Sequence, residues 1–221
     1  MSQHGEDLLI YEFFKNEPPG FFIEAGAYDG VYASNTLLLE SIGWRGLLVE
    51  PHPSMAEKCR CNRPHSQVVE VALGPPGSNG NVEFTCADQP GGSAVFSFVE
   101  SDQEHKQFCK KVGCRLTQIT VPCRTLNHVL APLTDEVAFL SLDVEGMELE
   151  VLKGLDFVKY RPQIILVESH DRPRDEEVNA YLKASGYCRM AKRVCNVFYV
   201  AEECKSQFLA VLDLFPLWER L

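Results

Sequence analysis

Three stretches of this 221-residue chain carry an acid where an apolar strand would end: Glu24 in FIEAGAYDG (residues 22–30), Glu50 in GLLVEP (46–51) and Asp143 in LDVEG (142–146). The first runs on into a loop with glycines at Gly26 and Gly30, and Ser34 and Asn35 then open a helix, SNTLLLE (34–40). A strand, a glycine turn and a helix start in that order let backbone N–H groups come close to a nucleotide-like ligand. Glu50, followed by Pro51, lies 20 residues after Gly30, the spacing at which a carboxylate accepts the hydroxyl protons of a ribose.

The loop departs from the dinucleotide fingerprint GxGxxG. It reads GAYDG, with Tyr28 where the second glycine would be, Asp29 beside it and Glu24 before it. Those acids repel a pyrophosphate and suit a cationic ligand with an amino-acid tail, which points to S-adenosyl-L-methionine. For methyl transfer to a hydroxyl, something must take the proton in the transition state. Asp143, Glu145 and His170 (in VESHD, 167–171) are the candidates, and His170 has the pKa best matched to neutral pH. Asp143, Glu145, His170 and Asp171 also carry oxygen and nitrogen atoms that suit Mg²⁺, but their spacing does not show that they converge, and no metal site is predicted.

These residues need a scaffold that brings strand ends together. Short apolar runs at 21–26, 46–49, 67–73, 137–142 and 163–167 alternate with helical patterns at 6–15, 34–42, 54–61, 126–130, 148–155 and 175–185. That alternation predicts an α/β doubly wound, Rossmann-like sheet of seven mostly parallel strands with helices on both faces. In such a sheet ligands bind beyond the carboxyl ends of the strands, where Glu24, Glu50 and Asp143 stand. Residues 187–194 and 197–200 read as a tight pair that adds an antiparallel edge strand, and 81–87 and 118–123 as extra strands around a charged segment. The tail carries Phe208, Val211, Leu212, Phe215 and Trp218 at helical spacing, a stripe expected to cover the sheet.

Taken together, SQHGED (2–7), FIEAGAYDG, SNTLLLE, GWRGLLVEPHP (43–53), VALG (71–74) and LDVEGMELEVLKG (142–154) resemble the FkbM-type methyltransferases, a family of class I enzymes dependent on S-adenosylmethionine. The resemblance implies O-methylation, often of sugars or glycosylated acceptors. It places Gly26 with its neighbours Ala25 and Ala27 under the methionine part of the donor, Glu24 near the amino group, Glu50 on the ribose and Ala72 near adenine. It also places Gln3, Glu6 and Asp7 over the methionine end, and Ser34 and Asn35 as supports of the loop. Residues 88–117 and those after 171 match no motif and are expected to shape the acceptor pocket.

Composition sets the outer limits. A formal net charge of −10 argues against nucleic acid as a partner. No apolar run approaches the roughly 18–20 residues of a membrane span. The nine cysteines form no CxxC pair and no zinc spacing, which reads as free thiols in a reducing cytoplasm. The chain is therefore expected to be one cytoplasmic domain, monomeric or homodimeric, off the membrane, acting on a small-molecule or glycan acceptor. Two rivals remain: a nicotinamide-dependent oxidoreductase on a related sheet, and an interaction module that keeps the fold without turnover.

Overall fold

The computed structural model describes residues 2–89, 96–99, 103–169 and 172–221. In chain order the elements are α1 (Glu6–Phe14), β1 (Phe21–Ala25), α2 (Leu37–Ser41), β2 (Arg45–Val49), α3 (Pro53–Asn62), β3 (Ser66–Val69), β4 (Ala72–Leu73), β5 (Asn79–Asp88), α4 (Gln103–Lys111), β6 (Arg115–Arg124), α5 (Leu126–Leu130), β7 (Val137–Leu142), α6 (Glu148–Lys153), β8 (Ile164–Glu168), α7 (Arg172–Ala184), β9 (Tyr187–Arg193), β10 (Asn196–Ala201), α8 (Lys205–Leu212) and β11 (Glu219–Arg220).

Eight strands form one sheet in the order β11-β9-β10-β8-β7-β1-β2-β3. The five from β3 to β8 are parallel. Strand β10 runs antiparallel between β8 and β9, so the reversed strand lies one place further in than a simple edge pair would put it. The edge itself is a two-residue antiparallel strand, β11. This is an α/β fold with a mostly parallel central sheet, as the alternation of elements predicts, with one short strand more than the seven expected. The order reverses at β1, which pairs with β2 on one side and β7 on the other. That switch point is where a crevice opens in sheets of this kind.

Strand alternation sorts the residues between two cores. Phe21, Ile23 and Ala25 face one side with Leu140, Leu142, Ile165 and Val167, packed under Val151, Leu152 and Leu182 from α6 and α7. Phe22 faces the other with Leu48, Phe139, Leu166 and Phe198, under Leu9, Ile10 and Phe13 of α1 and Phe208 and Leu212 of α8. Trp218 joins that second core, its ring 5.3 Å from that of Phe198. The aromatic tail thus covers the domain's own sheet.

The run 67–73 does not form one strand. It divides into β3, in the main sheet, and β4, which pairs with β6 in a separate three-stranded sheet, β4-β6-β5. Strands β5 and β6 pair antiparallel along their whole length, from Asn79↔Arg124 to Asp88↔Arg115. This second sheet and the segment 96–99, whose Phe98 bridges Thr85, rise beside the carboxyl ends of the main strands.

Candidate functional site

A cavity of about 640 Å³ opens above the switch point, a size typical of small-molecule sites. Its floor is the glycine loop. The N–H groups of Gly26 and Ala27 donate to the Val49 carbonyl at 3.0 and 3.2 Å, and the Asp143 N–H donates to the Ala25 carbonyl at 3.0 Å. The loop is thereby strapped to both neighbouring strands. Gly26 has φ +81°, and a β-carbon there would overlap the Asp143 carbonyl, so only glycine lets the two strand ends approach.

Strand alternation puts Glu24 on the same face as Phe22, beneath the loop. Its carboxylate accepts from Ser34 Oγ (2.8 Å), the Asn35 N–H (2.8 Å) and Thr36 Oγ1 (2.6 Å), with Arg63 Nη1 at 3.4 Å. Arg63 is fully buried and also donates to Glu40 at 2.5 Å and to the Gly30 carbonyl at 2.9 Å. Glu24 reaches the cavity wall, but its lone pairs hold the following loop and helix in place. Asp29 and Gly30 also shape the loop from outside the cavity lining. Asp29 Oδ1 accepts the N–H groups of Val31 and Tyr32, and Gly30 packs on Arg63.

Glu50 points into the cavity beside Pro51, Val71 and Ala72. It accepts the Tyr28 N–H through Oε2 and the His52 N–H through Oε1, both at 2.8 Å. Burial outweighs those two bonds and pushes its carboxyl up to about 7. Each oxygen keeps a lone pair for a further donor.

The N-terminal segment divides. Gln3 and His4 line the cavity. Glu6 and Asp7 do not: Asp7 accepts from Ser2 Oγ at 2.6 Å, and Glu6 from the His4 N–H at 2.8 Å and Asn196 Nδ2 at 2.7 Å. They fold the segment that brings Gln3 to the rim. Asn35 lines the wall and donates from Nδ2 to Ser141 Oγ at 3.0 Å, while its Oδ1 is buried without a partner among the described residues. A buried acceptor in that state fits an ammonium group.

The far wall is acidic. Register places Leu142 opposite Val167, so Asp143 and Glu168 leave adjacent strand ends together, and both line the cavity with Glu145. Asp143 and Glu168 thus stand close enough for the charge of each to act on the other. The Asp143 side chain stays open to the cavity; desolvation by the surrounding wall first, then the charge of Glu168, holds its carboxyl above its ordinary range. Cys195 Sγ donates to Glu168 Oε1 at 3.5 Å, and burial together with Glu168 pushes that thiol up to about 12. Glu148 sits behind, accepting the Val144 and Gly146 N–H groups at 3.2 and 3.0 Å.

Sequence reasoning found Asp143 and Glu145 but missed Glu168 and Cys195. Glu168 was legible as one more acid at a strand end, in VESHD; Cys195 had no such signal, since only the β9–β10 hairpin carries it to the wall. His170 and Asp171 lie outside the described residues. Among the described residues no group of three His, Cys, Asp or Glu side chains is placed to share a metal ion.

Backbone strain converges on the same space. Tyr28, Ala33, Glu145 and Val194 are the non-glycine residues with positive φ among those described, and all four line the cavity. Such conformations cost on the order of 1–3 kcal/mol each and cluster at functional sites. Val194, β-branched at φ +53°, is the most unfavourable of them.

All nine cysteines are free thiols, and no helix among the described residues is long and apolar enough to cross a membrane. No curated protein matches the chain. Among solved structures it is similar to a putative caffeoyl-CoA O-methyltransferase from Staphylococcus aureus, at 8% identity and TM-score 0.51, covering 91% of this chain and 85% of that one. It is also similar to a precorrin-6y C5,15-methyltransferase from Geobacter metallireducens GS-15, at 11% identity and TM-score 0.47, covering 88% and 86%. At such identities the likeness to the first shows the fold alone. The family model described as the methyltransferase FkbM domain matches residues 24–189, from the acid under the glycine loop to the start of β9. The chain belongs to the FkbM methyltransferase family.

Proposed function

We propose that this protein transfers a methyl group from S-adenosylmethionine to a hydroxyl oxygen, on a sugar or glycosylated acceptor. When bound, the donor supplies a sulfonium methyl open to in-line attack. The residues present fit it: a loop that only glycine can form, an open carboxylate at Glu50 that would take the ribose, Ala72 in the cavity wall that would meet the adenine, and the unpartnered Asn35 Oδ1 that would take the ammonium.

One observation carries the oxygen reading: Asp143 and Glu168 leave adjacent strand ends together in the cavity wall, near enough to share a proton. A pair sharing one proton keeps one carboxylate equivalent, which accepts the hydroxyl proton as the oxygen attacks. The new C–O bond forms as the S–CH₃ bond breaks, its electrons remaining on sulfur. The pair, now holding two protons, releases one to water. Holding acceptor and donor in line above the switch point supplies much of the remaining acceleration.

A labelled-donor transfer assay against a glycan panel, with and without EDTA, tests activity, acceptor class and metal dependence together. Label on oxygen, stable to mild base, supports the reading. Label on nitrogen or carbon, or none on any acceptor, counts against it.

A further inference from the structure

Two of the nine thiols meet at a helix end that the methyl-transfer reading does not use. Helix α4 stops in a left-handed turn at Gly113, whose φ is +83°. The Gly113 N–H donates to the Lys110 carbonyl at 3.1 Å, and the Cys114 N–H donates to the Cys109 carbonyl at 2.9 Å. These nested bonds form a Schellman motif, in which the residue after the glycine folds back onto the last turn of the helix and makes an apolar contact there. Here both partners in that contact are cysteines. Cys109 and Cys114 share one small buried core with Ala87 and Phe98, so their side chains turn to the same side.

The backbone is already spaced for a covalent link. Standard bond lengths and the 2.9 Å contact hold the two Cα atoms no more than about 6.8 Å apart, within the range of roughly 4.4–6.8 Å that a disulfide spans. Both are free thiols. Burial first, then Cys114, pushes the Cys109 thiol up to about 11, and burial raises Cys114 as well. The pair is therefore protonated and protected while α4 is seated. Phe108 and residues 110–113 around it are exposed, so the helix end can open locally and uncover the sulfurs.

The pair also adjoins the cavity wall. Cys109 Sγ reaches the Phe96 carbonyl at 3.9 Å. The Phe96 ring meets that of Phe108, the residue before Cys109, with centroids 5.2 Å apart, and both rings line the cavity.

We infer that Cys109 and Cys114 are a redox-active dithiol, which closes reversibly into a disulfide and clamps the end of α4 to the start of β6 beside the aromatic wall of the cavity. The oxidant is a low-molecular-weight disulfide such as oxidised glutathione. Cys114, at 9% exposed against 0% for Cys109, is the sulfur that meets it first. The Cys114 thiolate attacks one sulfur of the oxidant and expels one thiolate. The Cys109 thiolate then attacks Cys114 Sγ and expels the second. One S–S bond forms in the protein as one breaks in the oxidant, and the two protein protons end on the two released thiols. Oxidation also removes the S–H that Cys109 holds toward Phe96. The inference is independent of the reaction the cavity performs and needs neither donor nor acceptor.

The test is peptide mapping by mass spectrometry on the native protein, equilibrated in a graded series of reduced and oxidised glutathione, quenched with acid and alkylated after unfolding. Cys61, which is exposed, serves as the internal control for oxidising strength. The expected result is a Cys109–Cys114 link that forms within the series and is reversed by dithiothreitol, and that forms faster as pH rises from 7 to 9. Cys109→Ser should leave Cys114 carrying glutathione, and Cys114→Ser should leave Cys109 a free thiol. Amide hydrogen exchange at residues 108–116 should slow by about tenfold or more in the linked form. Two free thiols at 109 and 114 while Cys61 carries glutathione overturn the inference. So do links from either residue to other cysteines, or a link that leaves exchange at the end of α4 unchanged.

Discussion

Gly26 and Asp143 close the sheet's switch point so tightly that a β-carbon on the first would occupy the space of the second's carbonyl oxygen. The contact joins β1 to β7 at the level where the cavity begins, so loop shape and the position of the acidic wall are set together.

Gly26→Ala should therefore cost both stability and donor affinity. The strained φ and the overlap together are expected to lower unfolding free energy by about 1–3 kcal/mol. Thermal melting with and without S-adenosylmethionine checks this. An unchanged melting temperature and unchanged ligand-induced shift would show that the loop has another conformation open to it.

Glu50 gives a pH signature. Its folded-state carboxyl lies near 7 against an ordinary 4.5, so between these values the folded protein holds a proton that the unfolded chain releases. Stability from this group is present at low pH and falls as pH rises from about 4.5 to 7, by on the order of 3 kcal/mol in all. Donor binding has the opposite slope if the ionised carboxylate holds the ribose: affinity should rise from pH 6 to 8. Glu50→Gln should flatten both slopes and weaken binding about tenfold, since a hydrogen bond to a charged group contributes roughly 1.5–3 kcal/mol. Calorimetry and urea denaturation across pH give the two readings; a variant with wild-type slopes would remove Glu50 from the donor site.

Asp143 and Glu168 should behave as one unit. Asp143→Asn and Glu168→Gln are each expected to reduce turnover about 100-fold or more, the usual scale of proton-transfer catalysis, while leaving donor affinity within about twofold. The double variant should be little worse than either single one, because residues acting together are not additive. Multiplying effects in the double variant would assign the two carboxyls separate tasks.

Arg63 is expected to be the most damaging of these positions for folding. It is fully buried against Glu24 and Glu40, and removing it leaves two buried carboxylates without their cation. Arg63→Met should cost about 3–5 kcal/mol. Arg63→Lys should rescue little, since one ammonium cannot reproduce the guanidinium's fan of donors to Glu40, Gly30 and Thr36. Urea midpoints of the two variants decide it; a lysine variant near wild type would reduce the network to simple charge balance.

The sequence by itself determined the parallel core, the strand ends that carry Glu24, Glu50 and Asp143, and the loop that must contain Gly26. These follow from local rules: apolar runs of strand length, helical spacing between them, and the glycine demanded by a tight turn. Tertiary structure decided what each acid does. Glu24 ends a strand as Glu50 does, yet it lies on the face where Arg63 and Ser34 meet it, while Glu50 keeps lone pairs toward the cavity. Glu168 and Cys195 became part of the wall only through the register of β8 on β7 and the insertion of β10 beside it. The split of residues 67–73 between two sheets was equally hidden, because Val68, Val69, Val71, Ala72 and Leu73 read as one apolar run broken only at Glu70, and only their hydrogen-bond partners assign them to two sheets. Periodicity reports which residues are buried; which partner each one meets depends on contacts far apart in the chain, and that is where the chemistry was set.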